Sequence, residues 1–138
     1  MKLNLLILGA SGGLANAVLH SLVHHRHHFN KLVLLDKNKK VLQNPYLDHA
    51  NLRYKFIHKE IKPHHKKEFI ALLKKYKIRI VLDLTDAESI PLIEAANEAG
   101  IDYINTAIND DIKIDSELME EIFAKRKNWN KARHILCS

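Results

Sequence analysis

Three of the chain's four glycines lie within five residues, between a short apolar segment and a segment with helical periodicity. The apolar segment, Leu3–Leu8, has the length and composition of a strand buried on both faces of a parallel sheet. Residues 14–23 follow, with apolar side chains at helical spacings. A strand, a glycine turn and a helix in this order predict the start of a β-α-β unit.

The next apolar segment, at residues 32–35, ends on Asp36 and predicts the second strand of that unit. Residues 37–52 are weakly patterned, and Pro45 limits any helix before it to a turn or two. A short helix or a loop is therefore expected there.

The rest of the chain continues the alternation of strands and helices. Pro63 is expected to open one helix, and Ser89 to cap another that ends before Gly100. Further strands are predicted at residues 53–58, 78–84, 101–105 and 133–137, and a last helix at residues 116–125. Six strands alternating with helices predict an α/β fold of Rossmann type, a doubly wound parallel sheet in three layers, α/β/α.

The composition is that of one globular domain. Of 138 residues, 46% are hydrophobic and 28% are charged, which excludes disordered, collagen-like and low-complexity chains. The last apolar segment meets the end of the chain before a whole strand is complete. We therefore expect residues 1–138 to be a single domain that forms the N-terminal part of a longer, two-domain protein.

Charge and cysteine content narrow the partners and the compartment. The 22 Lys and Arg and 16 Asp and Glu give a net charge of +6, but the lysines are spread over segments typical of solvated surfaces. A nucleic-acid partner is therefore not expected. The lone cysteine, Cys137, forms no internal disulfide, which favours the reducing cytoplasm.

Residues 3–23 contain no Asp, Glu, Lys or Arg, and residues 15–17 have the A-x-A form of a signal-peptidase site. A signal or membrane helix would, however, carry Ser11, Gly12 and Gly13 at its centre, and these are poor helix formers. The strand, loop and helix explain these residues, so no membrane association is expected.

The glycine loop has the pattern G-x-x-G-x-x-A, a variant of the dinucleotide fingerprint. Gly9 is expected to form the tight turn, Gly12 to admit the pyrophosphate, and Ala15 to permit close helix packing. The free amides and the dipole at the helix N-terminus would hold the phosphate charge. The candidate cofactor-binding residues of this loop are Gly9, Ala10, Ser11, Gly12, Gly13 and Leu14. A turn with a purely structural role is the alternative.

Asp36 lies 21 residues after Ala15, near the spacing at which a carboxylate accepts hydrogen bonds from the adenosine ribose. The same carboxylate would repel a 2′-phosphate and favour NAD over NADP. Lys37 beside it would soften that preference. The expected cofactor is therefore NAD, with NADP as the alternative.

Other candidate cofactor contacts follow the carboxyl ends of predicted strands, where ligands of open parallel sheets lie. Glu60 follows the third strand and would face the adenine. Thr85 and Asp86 follow the fourth and would lie near the nicotinamide, and Asn105 and Thr106 end the fifth. A solvated Glu60 and a turn-forming Asp86 are the structural alternatives.

The ten histidines do not predict a metal site, because no cysteine or acidic residue stands near them at a fixed spacing. The cluster at residues 24–28 follows the first helix, where cationic side chains suit the negative end of the dipole. No Ser-His-Asp or Cys-His arrangement can be assigned, so the catalytic residues stay unknown.

Residues 54–110 resemble the saccharopine dehydrogenase family and, within it, are most similar to homospermidine synthases. The resemblance rests on the strand and turn at residues 80–86 and on residues 98–107, a helix end followed by a strand and a Tyr-x-Asn-Thr turn. Residues 108–111 match no motif of the family.

The resemblance implies an NAD(P)-dependent oxidoreductase, or an NAD-assisted transferase of aminoalkyl groups, that acts on secondary amines of amino acids or polyamines. It also implies that a second domain beyond Ser138 carries the substrate pocket and the catalytic residues, so this domain alone would be inactive. A nucleotide-sensing regulatory domain without catalysis is the alternative, and the natural continuation of the chain would distinguish the two. The sequence leaves the oligomeric state open, with a homodimer as one option.

Overall fold

The computed structural model describes residues 2–48 and 52–137. Along these residues strands and helices alternate, and short 3-10 helices occupy some of the connections. The strands are β1 (Leu3–Leu8), β2 (Phe29–Asp36), β3 (Tyr54–His58), β4 (Ile80–Asp83), β5 (Asp102–Asn105) and β6 (His134–Ile135). The α-helices are α1 (Gly13–His24), α2 (Lys66–Lys75), α3 (Ser89–Glu98) and α4 (Asp115–Arg126). The 3-10 helices are Arg26–His28, Lys39–Gln43 and Pro45–Asp48.

The six strands form one parallel sheet in the order β3-β2-β1-β4-β5-β6. The chain adds strands on one side of β1 and then, from β4 onward, on the other side. This confirms the predicted doubly wound sheet of Rossmann type. Its strand order reverses between β1 and β4, and the carboxyl ends of strands at such a point are where open sheets of this kind bind ligands.

Each face of the sheet has its own hydrophobic core, because successive side chains of a strand point to opposite faces. On β1, Leu5 and Ile7 pack in a cluster with Leu19 of α1. Leu6 and Leu8 belong to the opposite cluster, which contains buried residues of α2, α3 and α4. The molecule therefore has the three layers that the sequence predicts.

Several boundaries agree with the sequence and others do not. β1 spans the predicted residues, and Gly100 follows α3 with a φ of +71°, a conformation that favours glycine. β2 begins at Phe29, before the predicted residue 32, because Phe29 pairs with Leu3 and Lys31 with Asn4 along β1. Polar residues in that half of β2 hide the strand from a hydrophobicity pattern.

The start of α2 was predicted wrongly. Pro63 lies in a turn, in which the His65 amide donates to the Lys62 carbonyl at 3.0 Å, and the helix begins only at Lys66. The predicted apolar face is nevertheless buried, since Phe69 is 3% and Leu73 is 1% exposed.

Ser89 does not cap α3. It is the first helical residue and is fully buried, and its Oγ accepts a hydrogen bond at 2.8 Å from the amide of Asn109. A long-range contact thus uses the hydroxyl that the local pattern assigns to the helix end.

The predicted helix or loop at residues 37–52 contains two 3-10 helices, and its residues 49–51 lie outside the described part of the chain. Within residues 2–48 and 52–137, no helix has both the length and the apolar character required to cross a bilayer.

Candidate functional site

An open cleft of about 570 Å³ lies at the carboxyl ends of the strands around the point where the strand order reverses. It is bordered by the loops that follow β1, β2, β3 and β4. Of the residues proposed from the sequence as cofactor contacts, those that line it are Gly9, Gly12, Asp36, Lys37, Glu60, Thr85 and Asp86. Residues from four separate segments thus meet in one concave site.

The other candidates lie elsewhere. Ala10, Ser11 and Gly13 line a second groove of about 380 Å³, which shares Gly12 with the main cleft, so the glycine loop forms a wall between two depressions. Leu14 is in the first turn of α1 and is 51% exposed. The structure does not bring Asn105 and Thr106 to the main cleft. Asn105 is 1% exposed, and its Oδ1 accepts from the amide of Cys137 at 2.9 Å.

Gly9 forms the tight turn after β1. Its φ is +79°, and a Cβ added there would lie 3.1 Å from the carbonyl oxygen of Leu84 and 3.1 Å from Cγ2 of Thr85. Its amide donates to the carbonyl of Leu35 at 3.0 Å. Both the backbone conformation and the close approach of the loop after β4 therefore require glycine here.

The N-terminus of α1 is open to the solvent. Gly12 and Gly13 are exposed, and a Cβ on Gly13 would meet no atom within 4 Å. Among the described residues, α1 has no side-chain hydrogen bond at its N-cap and no acidic residue in its first turn. The partial positive charge of the helix end is thus left without a neutralising carboxylate in its own turn, which suits an anionic ligand.

Asp36, the last residue of β2, ties the β2 end to the glycine loop. Its Oδ2 accepts from the amide of Ser11 at 2.9 Å, and its Oδ1 accepts from the amide of Asn38 at 2.8 Å. The Ser11 hydroxyl donates to the Asn38 carbonyl at 2.6 Å and accepts from the Val41 amide at 2.9 Å. The carboxylate therefore shapes the loop in addition to bordering the cleft.

Three basic residues, Lys37, His58 and Lys59, lie close to the end of β2. Lys37 is exposed beside it, and Nε2 of His58 lies 2.9 Å from the Lys37 carbonyl oxygen. The amide of Lys59 donates to the carbonyl of Asp36 at 2.9 Å, and its ammonium pairs with Glu68. Glu60, next along the chain, is exposed at the edge of the cleft.

The turn after β4 is built on a buried carboxylate that the sequence analysis did not single out. Oδ1 of Asp83 accepts from the amide of Thr85 at 3.0 Å and from its hydroxyl at 2.6 Å, and Oδ2 accepts from the Tyr103 hydroxyl at 2.5 Å. Burial raises the pKa of Asp83, while the hydrogen bonds from Thr85 and Tyr103 act against this shift. Burial, followed by the adjacent Asp83 charge, also raises the pKa of Tyr103. The signal in the sequence that could have identified this residue is an aspartate at the end of an apolar strand.

Three further residues of the cleft carry no signal in the sequence. His64 follows β3, Glu88 precedes α3, and His64 Nε2 lies 2.9 Å from Glu88 Oε2, so that the two side chains close one side of the cleft. Asp111 lines the cleft from the loop after β5. Among the described residues, no group of three or more His, Cys, Asp or Glu side chains is arranged to hold a metal ion.

The fold and this cleft define a dinucleotide-binding class of domain, with a glycine turn, an open helix N-terminus and an acidic residue at the end of β2. Comparison of the sequence with known families is more specific. Residues 5–137 match the family described as the saccharopine dehydrogenase NADP binding domain, and the chain belongs to this family. Among curated proteins, none matches the sequence.

Solved structures with the same fold include nucleotide-sugar enzymes and a plant reductase. UDP-glucose-4-epimerase from Stenotrophomonas maltophila, with bound NAD, superposes with a TM-score of 0.66 at 14% identity over 97% of this chain and 51% of its own. dTDP-glucose 4,6-dehydratase from Bacillus anthracis, in complex with NAD, superposes with a TM-score of 0.64 at 12% identity over 96% of this chain and 54% of its own. Leucoanthocyanidin reductase from Vitis vinifera, with NADPH, superposes with a TM-score of 0.58 at 16% identity over 98% of this chain and 49% of its own. The chain thus spans about half the length of these proteins, and the likeness is one of fold.

Proposed function

We propose that the cleft binds a nicotinamide dinucleotide, and that the domain is the cofactor half of an oxidoreductase. The observation that carries this proposal is the meeting of Gly9 and Asp36 in one cleft at the point where the strand order reverses. Membership of a family of NADP-binding domains supports it. When bound, such a dinucleotide supplies hydride transfer, and the protein positions it.

The residues present fit such a ligand. Gly12 lines both the cleft and the second groove, and a Cβ on Gly13 would meet no atom within 4 Å. A pyrophosphate that extends from the cleft past Gly12 would therefore reach the N-terminus of α1 and accept hydrogen bonds from its free amides. Asp36 would accept from the hydroxyls of the adenosine ribose. Glu60 would border the adenine, and the turn at Thr85 and Asp86 would border the nicotinamide half.

The preference between NAD and NADP follows from charge. The Asp36 carboxylate opposes a 2′-phosphate, whereas the exposed ammonium groups of Lys37 and Lys40 lie on the same loop and would attract one. Because hydrogen bonds from two backbone amides already hold the carboxylate in place, we expect its effect to dominate and NAD(H) to bind more tightly.

Calorimetric titration of this domain with NAD, NADH, NADP and NADPH tests the proposal, with adenosine monophosphate as the control ligand. We expect one dinucleotide per chain, with NAD(H) bound more tightly than adenosine monophosphate. Tighter NADP(H) would reverse the cofactor preference and leave the site intact. A folded domain that binds none of the four dinucleotides would contradict the proposal.

For the whole protein we propose chemistry at a secondary amine of an amino acid or a polyamine, as in homospermidine synthases, with the substrate held by a second domain. The family assignment supports this class of reaction. The test is turnover of NADH or NAD by the natural full-length protein with amino acid and polyamine substrates. Tight dinucleotide binding without turnover of any of them would favour the nucleotide-sensing alternative.

A further inference from the structure

Asp83 is a carboxylate in the buried interior of the sheet, where most of the neighbouring side chains are apolar. It ends β4, its neighbours in register are Leu8 on β1 and Asn105 on β5, and it is only 1% exposed. Removing a carboxylate from water is unfavourable unless its oxygens receive hydrogen bonds. Both oxygens of Asp83 are satisfied, and the identity of the donors indicates what the residue does.

One oxygen fixes the turn that follows. Through its amide and its hydroxyl, Thr85 donates twice to Oδ1 of Asp83, and the same hydroxyl accepts from the Ala87 amide at 3.2 Å. The carbonyl of Thr85 accepts from Nδ2 of Asn109 at 3.2 Å. The turn is therefore held from β4 on one side and from the loop after β5 on the other.

The other oxygen fixes the carboxylate itself. Tyr103 is fully buried on β5, the neighbouring strand, and its hydroxyl donates to Oδ2 of Asp83 at 2.5 Å. A ring packed in the core has few alternative positions, so this contact holds Asp83 in one orientation. The side chain of Asp83 thus links the turn after β4 to Tyr103 on β5.

The turn after β4 also packs against Gly9, in the loop after β1. The Leu84 carbonyl and the Thr85 methyl group leave only 3.1 Å to the position of a Cβ on Gly9, so the two loops are in contact. Gly9, Leu84 and Thr85 all line the cleft, whereas Asp83 is buried behind them. A displacement of the turn would therefore move residues that border the ligand.

We propose that Asp83 is a positioning residue of the dinucleotide cleft, which acts through Thr85 to hold the turn after β4 against Gly9. The inference rests on the proposed function, because it assigns a role in binding to a residue that does not touch the ligand. It distinguishes Asp83 from a carboxylate that only stabilises the fold.

The variants Asp83→Asn and Tyr103→Phe test this role. In Asp83→Asn the charge is lost, so Thr85 donates to a neutral amide oxygen in place of a carboxylate and both of its hydrogen bonds are weakened. The amide nitrogen that replaces the other oxygen cannot accept from Tyr103. Tyr103→Phe leaves both hydrogen bonds from Thr85 in place. We expect Asp83→Asn to weaken NADH binding about tenfold or more, and Tyr103→Phe to weaken it less.

Asp102→Asn is the matched control. Asp102 is also a buried carboxylate on a strand, 7% exposed, but it pairs with Arg133 at 2.6 Å at the opposite end of β5 from Asn105. Loss of this pair should lower the thermal unfolding midpoint and leave the dissociation constant for NADH unchanged. The fluorescence of bound NADH, which reports the surroundings of the nicotinamide, should change only with Asp83→Asn and Tyr103→Phe.

Amide hydrogen exchange of the ligand-free domain separates this inference from the proposed function. Asp83→Asn should accelerate exchange at Thr85 and Ala87 while Gly100 keeps its wild-type rate. If Asp83→Asn lowers the unfolding midpoint but binds NADH like the wild type, Asp83 is structural and the inference is wrong. If the wild type binds no dinucleotide, the proposed function fails. Unchanged exchange at Thr85 in Asp83→Asn would show, independently of binding, that Asp83 does not hold the turn in place.

Discussion

The carboxylate of Asp36 accepts a hydrogen bond at 2.9 Å from the backbone amide of Ser11. The contact joins the end of β2 to the glycine loop after β1, across 25 positions of sequence. It uses one lone pair of Oδ2, and the Asn38 amide uses one of Oδ1, so each oxygen retains capacity for a ribose hydroxyl. Asp36 therefore has a structural role in the loop and a proposed role at the ribose, and the two need separate tests.

Asp36→Ala should weaken NAD(H) binding by about 10- to 100-fold, the range expected for lost hydrogen bonds to a charged group. NADP(H) should lose less, because removal of the carboxylate also removes its repulsion of the 2′-phosphate. Calorimetry with all four dinucleotides measures both effects. Equal losses would mean that Asp36 acts only through the loop, and no loss would exclude it from the site.

Ser11→Ala separates the structural role of the loop from the ribose contact. It removes the hydroxyl that bonds Asn38 and Val41 but keeps the Ser11 amide that donates to Asp36. We expect the free energy of unfolding to fall by about 1 kcal/mol. Any loss of affinity should be equal for NAD and NADP, as measured by denaturant unfolding and calorimetry, and an unequal loss would contradict this assignment.

Gly9→Ala places a side chain at a φ of +79°, where its Cβ lies 3.1 Å from two atoms of the loop after β4. The conformation alone costs about 1–2 kcal/mol in an L-residue, and displacement of that loop should abolish dinucleotide binding. Gly100→Ala is the control, since Gly100 has a φ of +71° but a nearest atom at 4.0 Å, remote from the cleft. Gly100→Ala should lose only the stability that the backbone conformation costs, and it should bind normally. Equal affinity in the two variants would contradict the role of Gly9.

Gly13→Ala is expected to change stability and affinity in opposite directions. Its Cβ would meet no atom within 4 Å, and alanine is the better helix former, so the free energy of unfolding should rise by up to about 1 kcal/mol. The same methyl group would enter the space proposed for the pyrophosphate, and NADH should bind more weakly. Unchanged affinity would mean that the pyrophosphate does not bind at the N-terminus of α1.

The parts of the fold that the sequence predicts are those with local causes. β1 and the glycine turn are visible because apolar residues and glycines lie together in the chain. The position of Asp36 is also local, since it follows from the end of an apolar segment. These features locate the cleft without knowledge of any contact between distant residues.

The remaining parts of the site depend on contacts between distant residues. His64 and Glu88 are 24 positions apart, and Asp83 and Tyr103 are 20 apart. Ser89 shows the same limit, because the loop after β5 takes the hydroxyl that its local sequence assigns to a helix cap. Only the packed sheet brings such pairs together, and a pattern within a short window contains no information on them.

The buried carboxylate of Asp83 should make the stability of the domain depend on pH. In the unfolded chain Asp83 titrates near its ordinary value of 3.8, and burial raises its pKa in the folded domain. Between these two values the folded state binds more protons than the unfolded state, so the contribution of Asp83 to the free energy of unfolding decreases as the pH rises. Asp83→Asn removes this titration. The test is urea unfolding of the wild type and of Asp83→Asn from about pH 3 to pH 8. The free energy of unfolding of the wild type, minus that of Asp83→Asn, should fall as the pH rises above 3.8 and should then become constant. A relative stability that rises with pH would contradict a raised pKa, because the folded state would then bind fewer protons than the unfolded one.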